Sequence, residues 1–290
     1  MKVVVSSNCM TGGLVQSLRI LLPSANVVPI PAYVSNVEAL DQHLKVADYW
    51  LVSSQKLVES DEFKKSGELQ IIPFPELYFS AFHPDQVYAF SDGHLVQSPT
   101  GPYNSAIALW AWRHRLSVLE TTSLFTSKIF EDLGYHDTWK SSVERLQRDF
   151  SAFPNLNFRE FLDPLQRSGV FMHTFNHPGV AAIAQMARLL ARQINPSIDH
   201  SRVPIEPMLL DGLLAAAAAW SVYPSIANSL GFTGSFHWKL KDHSVIGLEE
   251  FVSQSFDMYE AQQLIEFRCQ QVDQPLYDQV LLPHMSVQTS

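Results

Sequence analysis

The first eighty residues alternate between two hydrophobic periods, and that alternation limits the possible folds more than any other feature of the chain. Lys2 to Ser6 (KVVVS) is a β-branched run, and past a short turn Leu14, Leu18, Leu21 and Leu22 recur at helical spacing. Asn26 to Ile30 (NVVPI) reads as a second strand. Pro29 confines it to a sheet edge or ends it early, because proline brings no N–H to the ladder. Ser35-Asn36-Val37-Glu38 has capping-box spacing ahead of Val37, Leu40 and Leu44, so a second helix is predicted there. Tyr49 to Ser53 (YWLVS) and Leu69 to Phe74 (LQIIPF) supply two further strands. Strands alternating with helices pack as a mostly parallel sheet with helices over it. The expected fold class is α/β, with a Rossmann-like or SGNH-like sheet and a large helical addition in the C-terminal half.

From about Gly101 the periodicity is helical. Phe125, Ile129 and Leu133 form a stripe closed by Gly134, and Ser141-x-x-Glu144 opens another that carries Val143, Leu146 and Phe150. A strand signal returns at Gly169 to Thr174 (GVFMHT), followed by Asn176-His177-Pro178-Gly179 and a helix over Val180 to Ile194. After a loop rich in proline and serine, Met208 to Trp220 reads as a buried helix, too short to span a bilayer and interrupted by Asp211-Gly212. Gly231 to Gly247 is rich in turn residues, and Leu248, Phe251, Val252, Ser255 and Tyr259 give a last stripe. Three stretches are expected: a sheet core over 1–100, helices plus a strand-loop-helix completing that core over 101–200, and a helical part over 201–290 packed on the same domain.

Composition narrows the classes of function. Hydrophobic residues make up 46% and charged residues 17% of the chain, below the usual quarter, so a large interior is required and disorder is excluded. Twenty Lys+Arg against 29 Asp+Glu leave a net charge of −9. That balance argues against nucleic acid or an anionic membrane as partner, since both require positive surfaces, and leaves small molecules. Met1 to Asn8 lacks the apolar core of a signal peptide, and the two cysteines, Cys9 and Cys269, are too few for a disulfide framework. A cytoplasmic location is expected.

The sharpest chemical feature is Ser6-Ser7-Asn8-Cys9-Met10-Thr11-Gly12-Gly13, between the first strand and the first helix. Ligands of open parallel sheets bind beyond the carboxyl ends of the strands, where this turn lies. Unpaired backbone N–H groups and the helix dipole would favour a Cys9 thiolate, a preactivated nucleophile. The same N–H groups, with Gly12 and Gly13 allowing close approach and Asn8 adding a donor, would receive an oxyanion, flanked by Met10 and Thr11. The competing reading is a small cysteine packed in a tight turn. A cysteine nucleophile needs a base. His177 stands at the end of an apolar strand and the start of a helix; if that strand joins the same sheet, it opens into the same crevice, with Pro178 at the first helical position. His83, in Phe82-His83-Pro84-Asp85, is the rival, with Asp85 able to orient its ring. Asn176 and Gln55 are expected to contact substrate. His173 and His177 have the spacing of two metal ligands on a helix, but Pro178 argues against a helix there, and no metal is expected. Trp110-Ala111-Trp112-Arg113-His114-Arg115 offers Arg113 and Arg115 to a phosphate-bearing cofactor, against the blander reading of inward tryptophans and solvated arginines.

Taken together, Asn8-Cys9, Phe82-His83-Pro84-Asp85 and Phe175-Asn176-His177-Pro178 resemble, in order and spacing, the WcbI-type polysaccharide biosynthesis family. These are capsule-associated enzymes regarded as acetyl-CoA-dependent O-acetyltransferases. The resemblance runs from the opening strand to the late helices and includes Tyr223-Pro224-Ser225-Ile226-Ala227. It implies an α/β sheet domain with added helices, a coenzyme A site, a sugar acceptor, and a cysteine-histidine pair of Cys9 with His83 or His177. The glutamine that commonly follows the family's cysteine is Met10 here. Either Cys9 is acylated and then attacked by the sugar, or the histidine deprotonates the sugar directly while Cys9 helps position the thioester. The same residues also accommodate an SGNH-like ester or thioester hydrolase with cysteine in place of serine, and a non-catalytic carbohydrate- or nucleotide-binding protein.

Overall fold

A computed structural model describes residues 1–30, 37–53 and 69–285. The chain divides into two units that interleave along the sequence instead of following three consecutive blocks. The first comprises residues 1–78, 143–172 and 176–214; the second comprises 79–142, 173–175 and 215–290.

The first unit is built on a four-stranded parallel sheet. Its strands are β1 (Lys2–Ser6), β2 (Asn26–Pro29), β3 (Tyr49–Val52) and β4 (Gln70–Pro73), in the order β2-β1-β3-β4. Val3, Val4 and Val5 have no solvent exposure, as a continuous apolar run in a central parallel strand requires. Pro29 closes β2 at the sheet edge, where its missing N–H costs no ladder bond. Helix α1 (Thr11–Leu21) leads from β1 to β2, and α2 (Val37–Leu44) precedes β3 on the other side of β1. The strand order therefore reverses at the carboxyl ends of β1 and β3, the place where open α/β sheets hold ligands. Ser35 and Asn36 of the predicted capping box lie outside the described residues.

Packing holds that edge in place. Val4, Ile30, Leu40, Leu44, Trp50 and Val52 form one apolar cluster, and the Trp50 indole N–H donates to Ser6 Oγ at 2.9 Å. Leu14, Leu18 and Leu21 of α1 are buried, and α1 packs against the helix Val180–Ile194. The helices approach closely at Gly13, where a Cβ would lie 2.9 Å from Ile183 Cδ1. Gly179 caps the helix at Val180, so Pro178 sits ahead of the cap instead of at the first helical position. The strand Met172–Thr174 is not a member of the four-stranded sheet.

In the second unit, the helix Ser127–Asp132 ends before the left-handed Gly134 (φ 73°), and the helix Leu248–Ala261 buries Phe251, Val252, Ser255 and Tyr259, both as the periodicity predicts. Within the turn-rich stretch, His237–Lys239 pairs antiparallel with Val245–Gly247, and Trp238 stacks on Phe251 with ring centroids 4.3 Å apart. The unit is tied together at Asp85. This fully buried carboxylate accepts the Ile107 N–H (3.0 Å) and the hydroxyls of Tyr135 (2.9 Å) and Tyr223 (2.6 Å).

Two expectations fail for local reasons. The helix with Val143, Leu146 and Phe150 starts at Thr138; the Ser141 hydroxyl donates to the Thr138 carbonyl from inside it, so Ser141 is no cap. Met208 to Trp220 is not a buried helix. Only Gly212–Ala216 is helical, started by Asp211 Oδ1 accepting the Leu214 N–H at 2.8 Å, and Met208 and Leu210 are 58% and 78% exposed. Pro204 and Pro207 precede the stretch, and its helix begins only at Gly212, after Asp211, and ends at Ala216. No helix among the described residues is long and apolar enough to cross a membrane.

Candidate functional site

A cavity of about 670 Å³ opens in the first unit at the carboxyl edge of the sheet. Asn8 follows β1, Ser53 follows β3, and Pro75 to Tyr78 follow β4; Asn176 and the helix residues Arg145, Arg148 and Asp149 contribute further walls. Ser7 Oγ donates to Ser53 Oγ at 2.9 Å, fixing the two strand ends to each other. Cys9 is half-buried beside this wall. Its Sγ lies 3.7 Å from Asn8 Oδ1 and 4.0 Å from the carbonyl oxygen of Asn176, the residue before the half-buried His177. The first strand-turn-helix and the Asn176-His177 motif thus meet within one unit.

The electrostatics of Cys9 reverse the expectation of a preactivated thiolate. Burial pushes the thiol up to about 11; its own backbone N–H pulls the other way, and the Glu76 carboxylate adds to the rise. Desolvation outweighs the helix terminus, and the N–H groups of Ser7, Met10 and Thr11 are engaged within the turn. Asn8 Oδ1 accepts the Met10 N–H (3.1 Å), the Asn8 carbonyl accepts the Thr11 N–H (3.1 Å), and Thr11 Oγ1 accepts the Ser7 N–H (3.2 Å).

The other expected substrate contacts in the turn change accordingly. Met10 is fully buried and belongs to the core. Thr11 is buried, and its hydroxyl donates to the Ser7 carbonyl at 2.7 Å. Gly12 lies exposed in the first turn of α1, and Gly13 serves helix packing against Ile183. Asn8 and Asn176 do line the cavity, and Asn8 spends its amide oxygen on the turn, which leaves its NH₂ group as the donor. Gln55 lies outside the described residues.

The remaining candidates belong to the second unit. His83 is buried, with Nδ1 3.4 Å from the Ser221 carbonyl. Arg113 donates to Asp273 Oδ1 (2.7 Å) and the Phe267 carbonyl (3.3 Å) and lies over the Phe267 ring. Its charge is committed to joining two segments of its own unit. Arg115 is exposed just past the helix Ala106–Arg113, in the left-handed region (φ 58°). Cys269 is buried, in a loop.

Sequence reasoning missed the cavity's charged walls. Arg145 and Arg148 are three apart on one helix and resemble an ordinary solvated face. The Arg145 guanidinium in fact sits 3.7 Å above the Tyr78 ring, a pairing that no local pattern announces.

Residues 2–198, about two thirds of the chain, match the family model described as polysaccharide biosynthesis enzyme WcbI. No curated protein and no solved structure matches the chain.

Proposed function

The chain belongs to the WcbI family of polysaccharide biosynthesis enzymes, and from that premise we propose that it transfers an acyl group from an acyl-CoA thioester, with acetyl-CoA as the natural candidate, to a hydroxyl of a sugar or polysaccharide precursor. The observation that carries this reading is the placement of Cys9 Sγ against Asn8 Oδ1 and the Asn176 carbonyl, beside a cavity at the carboxyl edge of the sheet.

A protonated thiol supports direct transfer over an acyl-cysteine intermediate. His177 takes the proton of the sugar hydroxyl as its oxygen attacks the thioester carbonyl. The C–O bond forms, the C–S bond breaks, and the departing coenzyme A thiolate recovers the proton from the imidazolium. The Asn8 amide NH₂ faces the oxyanion that develops, and Cys9 positions the thioester. Use of an acyl-CoA donor implies action in the cytoplasm.

Incubation with acetyl-CoA and sugar acceptors tests this. Acetylated sugar should accumulate without an acetyl adduct on Cys9 by intact mass; Cys9→Ser should keep measurable turnover and His177→Ala should lose it. Coenzyme A should also raise the melting temperature of the folded protein. An adduct that chases into sugar and vanishes in Cys9→Ser would refute direct transfer. Absence of both turnover and a coenzyme A shift would refute the acyl-CoA reading, and acyl release to water that ignores the acceptor would make the protein a hydrolase.

A further inference from the structure

The cavity beside Cys9 carries a charge pattern that the acyl-transfer reading alone does not use. Arg145 and Arg148 project from one face of the helix Thr138–Ser151 into its wall. Arg145 is centred 3.7 Å above the Tyr78 ring. Stacking occupies the face of a guanidinium and leaves its in-plane N–H fork, the part that matches a phosphate or carboxylate. Among the described residues neither the Arg145 nor the Arg148 guanidinium has an ion pair or hydrogen bond, whereas Arg113, Arg159, Arg188 and Arg192 each face a carboxylate. We infer that Arg145 and Arg148 bind an oxyanion, a phosphate or a carboxylate, carried by the acceptor sugar close to the hydroxyl that is acylated.

The inference rests on the acyl-transfer reading for the word acceptor, and two observations favour acceptor over donor. First, Arg145 and Arg148 share one cavity with Asn8, which touches Cys9. The phosphates of coenzyme A stand a full pantetheine arm away from its thioester, whereas an acceptor sugar brings its own anion beside the reacting carbonyl. Second, Glu76 and Asp149 line the cavity too, so its described charges balance. A balanced site offers no net attraction to a donor head bearing several phosphates but suits a ligand with one anion and several hydroxyls, whose O–H groups donate to the two carboxylates.

Binding to the full chain tests this without relying on turnover. Titration calorimetry would use the 1-phosphates of glucose, galactose and mannose, the matching uronates, the neutral parent sugars, and coenzyme A. At least one anionic sugar should bind where its neutral parent does not, and which series binds distinguishes phosphate from carboxylate. Arg145→Gln and Arg148→Gln should each weaken that binding about tenfold or more. Both should leave the unliganded melting temperature and coenzyme A affinity unchanged, as should the control Arg159→Gln for every ligand. Equal binding of neutral and anionic sugars, or no binding by any anionic sugar, would overturn the inference. Loss of coenzyme A instead of sugar in the arginine variants would overturn it as well, reassigning the pair to the donor while leaving acyl transfer intact. Arginine-dependent binding of an anionic sugar in a protein that fails to bind coenzyme A would sink the acyl-transfer reading and keep the anion site.

Discussion

The state of Cys9 can be read directly from its alkylation rate. With its thiol pushed up to about 11, Cys9 differs from an unperturbed cysteine near 8.5 by about 2.5 units. At pH 7.5 about one free thiol in ten is ionised, against roughly three in ten thousand for Cys9, a deficit of about 300-fold. A more basic thiolate is intrinsically more nucleophilic, which returns about tenfold at a Brønsted slope near 0.45. Iodoacetamide should therefore modify Cys9 about 20-fold to 30-fold more slowly than free cysteine. The rate should climb about tenfold per pH unit from 7 to 9.5 without levelling. The Cys269→Ala variant, with peptide mass mapping, assigns the signal to Cys9, since Cys269 is buried and its thiol is also raised by burial. A rate that levels off below pH 9, or exceeds that of free cysteine at pH 7.5, would refute the desolvation argument and restore the covalent route through an acyl-cysteine.

Two further outcomes test the scaffold. Burial pushes Asp85 up to about 6 against the pull of its hydroxyl and N–H donors, above the ordinary value near 4 of the unfolded chain. Folding thus favours its protonated form. The contribution is complete below about pH 4 and is lost as pH rises through about 6, a change of roughly 3 kcal/mol. Asp85→Asn should flatten the pH dependence of thermal melting between 4 and 7, and an unchanged slope would count against it. In Gly13→Ala the added methyl meets Ile183 Cδ1 at 2.9 Å. Overpacking of about 1–3 kcal/mol should exceed a helix-propensity gain of at most about 1 kcal/mol, for a net loss near 1 kcal/mol in urea unfolding. Ile183→Val removes that Cδ1 and should restore part of the loss, so simple additivity of the two changes would show that the contact is not the cause.

The parallel sheet was legible because its cause is local and repeated. Val3 to Val5 are buried on both faces, which enforces an unbroken β-branched run, and Pro29 announces an edge through its own missing donor. The helix Val180–Ile194 matches its predicted bounds because nine of its residues are buried in a continuous stripe. What failed to show in the sequence depends on partners far along the chain. The strand signal of Met172–Thr174 looks like that of β3, yet membership of a sheet is decided by which strand offers a free edge. Met208 to Trp220 is apolar enough for a core, but hydrophobicity records only the tendency to be buried. Arg145 and Arg148 repeat as a solvated face would, and only the approach of Tyr78 makes them a wall. At Cys9 the turn was placed correctly while its depth was not, and depth sets the sign of the shift.

That depth also bears on how labour is divided at the site. A helix terminus activates a thiol only through N–H groups left free to face it, and here those of Ser7, Met10 and Thr11 are taken by Thr11 Oγ1, Asn8 Oδ1 and the Asn8 carbonyl. Against its own backbone N–H, Sγ faces two acceptors, Asn8 Oδ1 and the Asn176 carbonyl. A thiol satisfies them by donating its proton; a thiolate would set a negative charge against two carbonyl oxygens, with Glu76 adding to the penalty. The pocket therefore favours the thiol form of Cys9 at rest. The chain places His177 immediately after the carbonyl that the thiol touches. The side chains that bring donors to the cavity are the Asn8 amide close to Cys9 and the guanidiniums of Arg145 and Arg148 in its wall.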